Sequence, residues 1–147
     1  MSTVTTVAIA NDHAGLALRP ELLTLLNRDG RTVLDMGTNT ADPVDYPDYA
    51  QKVVCAVLSG EADAGLLICG SGVGMSIAAN RHKGIRAALC HDVYTAKSTR
   101  QHNDANILVM GARVIGPGLA LEIADTFLST PFSQEERHIG RISKIDC

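Results

Sequence analysis

Gly65-Leu66-Leu67-Ile68-Cys69-Gly70-Ser71-Gly72-Val73-Gly74-Met75 is an apolar run that ends in a thiol and passes at once into three alternating glycines. Short apolar runs bounded by glycine read as buried strands, and Val73 to Asn80 reads as a short helix whose small residues pack on a sheet. The stretch predicts a strand, a tight turn and a helix N-terminus. Glycines at 70, 72 and 74 allow close backbone approach, and free N–H groups at a helix start suit an anion or a developing oxyanion. A helix N-terminus also favours thiolate, so the segment points to charge stabilisation beside Cys69. The competing reading is a tight turn with no ligand. The loop is not a P-loop, since no Gly-Lys-Ser/Thr follows, and Met75 stands where a dinucleotide fingerprint needs its third glycine.

Working outward, strand-like runs recur at Val4 to Ala10, Thr32 to Met36, Ala64 to Cys69, Ile85 to Cys90 and Asn106 to Met110. Amphipathic stretches lie between them, over Leu16 to Arg28, Tyr49 to Ser59, Asp92 to His102 and Gly118 to Ser129. Alternating strands and helices imply right-handed crossovers and a parallel sheet covered on both faces. The expected fold is α/β: a doubly wound (Rossmann-like, flavodoxin-type) five-stranded parallel sheet with helices on both faces. In such sheets ligands bind beyond the carboxyl ends of the strands. Polar residues do follow strand ends: Asn11-Asp12-His13 after the first, Cys69-Gly70-Ser71 after the third and His91-Asp92 after the fourth. The irregular Gly37 to Pro47 segment reads as a functional or interface loop.

With 147 residues, 46% of them apolar, the chain fits one domain with a real core over 1–147, closed by a C-terminal helix at about 134–145. The formal charge of −3, without a basic run, argues against nucleic acid and acidic membrane surfaces as partners. Three Tyr, two Phe and no Trp give poor support for a base-stacking platform. No secretion signal is legible and no apolar run approaches the ~20 residues of a spanning helix, so a cytoplasmic protein is expected. Cys55, Cys69, Cys90 and Cys147 show neither a C-x-x-C pair nor metal-ligand spacing. Cys55 and Cys90 read as small buried hydrophobes and Cys147 as a tail.

The remaining candidates each carry a plain alternative. Asp12-His13 suits a ligand site or a turn cap, and Asp45-Tyr46-Pro47 a site or a turn before a helix. His102 is a proton shuttle or an exposed helix-end histidine. Arg137 and Arg141, one helical turn apart, form a solvated face or a fork for a phosphate.

Together, Asn11-Asp12-His13-Ala14-Gly15, Val44-Asp45-Tyr46-Pro47-Asp48-Tyr49-Ala50, Ile68-Cys69-Gly70-Ser71-Gly72-Val73-Gly74, Arg100-Gln101-His102-Asn103-Asp104-Ala105-Asn106 and Gly111-Ala112-Arg113-Val114-Ile115 resemble the ribose-5-phosphate isomerase B family. That family also holds the galactose-6-phosphate isomerase subunits, and the likeness spans nearly the whole chain. The resemblance implies interconversion of ribose 5-phosphate and ribulose 5-phosphate without metal or organic cofactor, through an enediolate. It implies Cys69 as the proton-abstracting base, with Ser71 supporting it where threonine is common, and His102 as the group that helps open the furanose ring. Asp12, His13, Tyr46, Asn103, Arg113, Arg137, Arg141 and the loop Gly70, Ser71, Gly72, Val73 and Gly74 are implied as substrate contacts. Some relatives place a glutamate base where Met75 stands, which keeps that role on Cys69. Glu135-Glu136 depart from the glycines many relatives carry and are expected to weaken phosphate affinity unless they point to solvent. The resemblance further implies a homo-oligomer, a dimer or a tetramer, with the site at a subunit boundary and His102 and Arg113 reaching a partner's Cys69. Another aldose phosphate (galactose 6-phosphate, allose 6-phosphate or a tetrose phosphate) and a non-catalytic phosphosugar- or nucleotide-binding module remain the competing functions.

Overall fold

A computed structural model describes residues 3–147. The chain runs β1 (Thr6–Asn11), a 3₁₀ segment (His13–Leu18), α1 (Arg19–Arg28), β2 (Thr32–Asp35), α2 (Tyr46–Leu58), β3 (Ala64–Cys69), α3 (Val73–Ala79), β4 (Ala87–Leu89), α4 (Val93–Asn103), β5 (Ile107–Gly111), α5 (Pro117–Ser129) and α6 (Glu136–Ile145). All neighbouring strands pair in parallel, in the order β2-β1-β3-β5-β4. The doubly wound five-stranded sheet is as expected, but its last two strands are exchanged relative to the flavodoxin order of 2-1-3-4-5. Connections that move the chain one way along the sheet pass over one face and those that move it back pass over the other, as right-handed crossovers require.

The two faces carry separate cores. Val7, Ile9, Leu66, Ile68, Leu108 and Met110 meet Leu22 and Leu26 of α1, Ala96 of α4 and Ile123 and Phe127 of α5. The alternate residues Ala8, Ala10, Leu67, Cys69, Ile107 and Val109 meet Val53 and Val54 of α2 and Met75 and Ala79 of α3. Period-two alternation onto two covered faces explains why β3 is buried at all six positions. Among the described residues no helix is long and apolar enough to cross a membrane.

Local differences from the sequence reading have physical causes. The first amphipathic stretch begins as a tight 3₁₀ turn because the Asp12 side chain accepts the Gly15 N–H at 3.0 Å, and Pro20 then opens α1. Helix α2 starts at Tyr46, three residues early, since Pro47 needs no N–H partner in a first turn. Strand β4 is cut to three residues, because the Arg86 N–H is taken by the side chain of Asn106 and does not join the ladder. Cys55 is exposed on α2, where Gln51 contacts its sulfur, rather than buried as expected. Cys90 is buried, and that burial, with the Asp92 charge nearby, pushes its thiol up to about 12.

Candidate active site

The reversal of winding direction falls between β1 and β3, and there the segments beyond β1, β3 and β5 open a cleft of about 590 Å³. Asp12, His13, Tyr46, Cys69, Gly70, Ser71, Val73, Gly74 and Arg113 line it, with Ala14, Ile77 and Val114. Cys69 ends β3 and is nearly buried, its sulfur accepting the Gly72 N–H at 3.2 Å. Gly72 does not line the cleft. It sits beneath it with φ +80°, and a Cβ there would also come 3.1 Å from the Met110 carbonyl carbon, so the turn that aims this N–H at the thiol requires glycine. The amides of Gly70 and Ser71 have no acceptor among the described residues, so they stand available to an anionic ligand. Helix α3 has only seven residues, and its contribution is these local donors rather than an extended macrodipole.

The expected role of Ser71 changes. Its hydroxyl accepts the Val73 N–H at 3.2 Å and shapes the loop, whereas the thiol takes its hydrogen bond from Gly72. Asp12 is both a turn cap and a wall of the cleft, with one carboxylate oxygen committed to Gly15. Its turn is held from below by Asn11, fully buried, whose side chain donates to the carbonyls of Asp12 and Thr38 and accepts from Arg19. His13 accepts the Val44 N–H on Nδ1 at 3.1 Å, which places the proton of the neutral ring on Nε2. The long loop before α2 thus sets the tautomer of a histidine in the cleft. The ring of Tyr46 lies on Gly74, where a Cβ would meet it at 2.6 Å.

Arg113 lies over Gly70, 3.4 Å from where a Cβ would stand, and so lines the cleft of its own chain rather than reaching only toward a partner. Gly111, just before it, accommodates the glycine loop: a Cβ there would sit 2.6 Å from the Ser71 carbonyl. The N–H of Gly111 is held by His91 Nε2 at 2.9 Å. Asn11, His91 and Gly111 were not singled out in sequence as site residues. Asn11 and His91 were visible only as polar residues at strand ends, which did not show what each would brace.

The other implied residues lie elsewhere. His102, in the last turn of α4, stacks on His138, with Ser98 Oγ 3.2 Å from its Nδ1. Asn103 lines a different cavity, together with Arg81, Lys83 and Arg86. Arg137 and Arg141 are exposed on α6, and Arg137 Nε donates to Glu135 at 2.8 Å. None of these four lines the Cys69 cleft within one chain. The Glu135 carboxylate turns onto Arg137 rather than away from it, but both side chains are more than half exposed, a setting in which an ion pair is weak.

A thiol held by a backbone amide, a glycine loop with free donors and a cleft sized for a small polar molecule, all at the switch point of a parallel sheet, define an enzyme site for a small anionic substrate. The comparisons with known proteins narrow that class. A family model described as Ribose/Galactose Isomerase matches residues 7–145. A putative sugar phosphate isomerase of Bacillus subtilis is 56% identical, over 95% of this chain and 93% of that one. Ribose-5-phosphate isomerase B of Escherichia coli is 45% identical over the same shares. The crystal structure of a ribose 5-phosphate isomerase from Thermotoga maritima superposes with a TM-score of 0.93 at 55% identity, covering 97% of both chains. The chain belongs to the Ribose/Galactose Isomerase family.

Proposed function

We propose that the protein interconverts ribose 5-phosphate and ribulose 5-phosphate as a single cytoplasmic sugar-phosphate isomerase unit spanning 1–147, working as a homodimer. The observation that carries this reading is the Cys69 thiol at the edge of the 590 Å³ cleft, flanked by free loop amides, in a chain 45% identical to a ribose-5-phosphate isomerase B. Aldose–ketose isomerisation moves one proton between C2 and C1 through an enediolate. Cys69 is the base that removes and returns it. Amides of the Gly70–Gly74 loop steady the oxyanion, each such donor being worth about 3 kcal/mol of barrier. The neutral His13 ring donates through Nε2 and Arg113 supplies a fixed positive charge over Gly70. His102 passes a proton to the ring oxygen so that the furanose opens first. Arg137 and Arg141 clamp the phosphate, which contributes remote binding energy for the reacting carbons.

A second copy supplies what one chain leaves out of its cleft. His102, Arg137 and Arg141 lie outside it, and its rim exposes Val73 at 47%, Ile77 at 53% and Val114 at 55%. An apolar rim of this kind is the expected seat of another subunit. The test is complementation between two inactive variants. Cys69→Ala and His102→Asn, each folded and each nearly inactive alone, should recover about a quarter of the wild-type sites when unfolded and refolded together, because half of the sites in a mixed dimer are intact. No recovery, with mixed dimers present, would place both residues in one chain's site.

A further inference from the structure

His102 and His138 lie face to face, with ring centroids 4.3 Å apart and planes 14° from parallel. His102 belongs to α4, and His138 is the third residue of α6, so the stack is where these two helices meet. The Ser98 hydroxyl, one turn before His102, engages its Nδ1 at 3.2 Å. His138 is 4% exposed, yet its Nε2 is buried with no hydrogen-bond partner. Leaving a ring nitrogen unpaired out of water is costly, and a buried polar atom in that state calls for an explanation. Hydrogen bonding through Nε2 is not what the position uses. A flat ring is.

We propose that His138 is a positioning residue for sugar-ring opening: its imidazole is a plate that fixes the plane of the His102 ring, while Ser98 holds one nitrogen and leaves Nε2 aimed at substrate. The proposal rests on the assignment of His102 to ring opening. Two restraints define an imidazole's orientation: the Ser98 contact fixes one point and the stack fixes the plane. Proton transfer depends steeply on that orientation. The electrostatics agree. Burial first, then the neighbouring His102, Arg137 and Arg141, hold the His138 imidazole below the ordinary histidine range, against an opposing pull from Glu135. Two stacked imidazolium rings would repel, in keeping with a His138 ring that serves as a neutral plate.

The experiment separates ring opening from proton abstraction. Ribulose 5-phosphate cannot close a furanose, because its 5-hydroxyl is esterified. Uptake of solvent deuterium at its C1 therefore needs the base and the enediolate but no ring chemistry. His138→Leu, which fills the space without presenting a plane, should lower net isomerisation of ribose 5-phosphate roughly ten- to a hundredfold while C1 exchange stays within about threefold of wild type. His138→Phe, which restores the plane without the nitrogens, should return isomerisation to within about threefold. Equal loss of both activities in His138→Leu, wild-type isomerisation in that variant, or a His138→Phe enzyme lacking isomerisation would each overturn the proposal. A His102→Asn enzyme that isomerises ribose 5-phosphate normally would overturn the His102 assignment itself, and the positioning role with it.

Discussion

Around Cys69 the polar side chains are anchored by backbone: the thiol by Gly72, His13 by Val44, Asp12 by Gly15, and His91 by Gly111. At the corner of α4 and α6 the groups assigned to the same reaction are held by side chains or by nothing. His102 rests on another imidazole and a serine hydroxyl, and Arg137 on one exposed carboxylate. The first region hangs from three central strands whose ends coincide in space, so its geometry is a property of the sheet. The second rides on helices that pack on one another, and its residues lie outside the Cys69 cleft of their own chain. A half fixed by strand ends, to which the proposal gives proton abstraction, is thus separated from a half carried on helices, to which it gives phosphate binding and ring opening.

The largest effect should come from disturbing the half fixed by strand ends through backbone. Gly111→Ala drives a Cβ to within 2.6 Å of the Ser71 carbonyl, and since that neighbour is main chain the glycine loop must move. We expect turnover to fall at least a hundredfold, as loss of one oxyanion donor does, with far-ultraviolet circular dichroism little changed. Retained turnover would show that the loop is as adjustable as the corner and erase the contrast.

A smaller effect is expected at the corner. Arg137→Ala should raise KM about tenfold and lower kcat modestly. Glu135→Gln removes the carboxylate bound to Arg137 and should lower KM about twofold, in keeping with the weakness of an exposed pair. If Glu135→Gln instead raises KM, the carboxylate holds Arg137 in its working position and the corner is less free than its exposure implies.

The smallest effect lies at the amino-terminal ends of the central strands β1 and β3, opposite the cleft. Asp63 accepts from the Thr5 and Thr6 amides and the Thr5 hydroxyl, each at 2.9 Å. The Thr6 and Thr5 amides, with the hydroxyl helping and burial opposing, hold its carboxyl below the ordinary carboxylate range. Because the folded value is depressed, the stabilisation is complete above the unfolded value and drains away as pH falls through the folded one. Asp63 is exposed, so solvent screening reduces the contribution to about 1 kcal/mol or less. Asp63→Asn should lower Tm slightly at neutral pH, lose that difference in acid and leave KM and kcat alone. A kinetic change would mean that the two ends of the central strands communicate.

Sequence legibility followed the same division. The strand at Ala64–Cys69, its glycine turn and the short helix after it were readable because burial on both faces demands an unbroken apolar run and alternating glycines mark where it ends. The convergence of Asp12, His13 and Cys69 on one cleft was readable because a parallel sheet brings those strand ends together whatever the helices do. Strand order was less so: the exchange of β4 and β5 is decided by which face α3 and α4 cover, and a three-residue strand leaves almost no periodicity to read. The support from Asn11 and His91 was hidden, since a buried asparagine bracing a turn looks like any polar residue after a strand. His138 was hidden too, because the stack exists only once two helices distant in sequence are packed.

The exchanged strand order also bears on biosynthesis. The chain makes β4 before β5, yet β4 lies outside β5 and among the described residues pairs with no other strand. As the polypeptide leaves the ribosome, β2, β1 and β3 can assemble at once, while β4 must wait for its only neighbour to be synthesised and slotted against β3. Gly111 and Arg113 arrive at the end of that late strand, so the wall beside the thiol is the last to be built. A nascent chain halted before residue 107 would carry Cys69 in a chamber still missing the wall that Arg113 and Val114 supply.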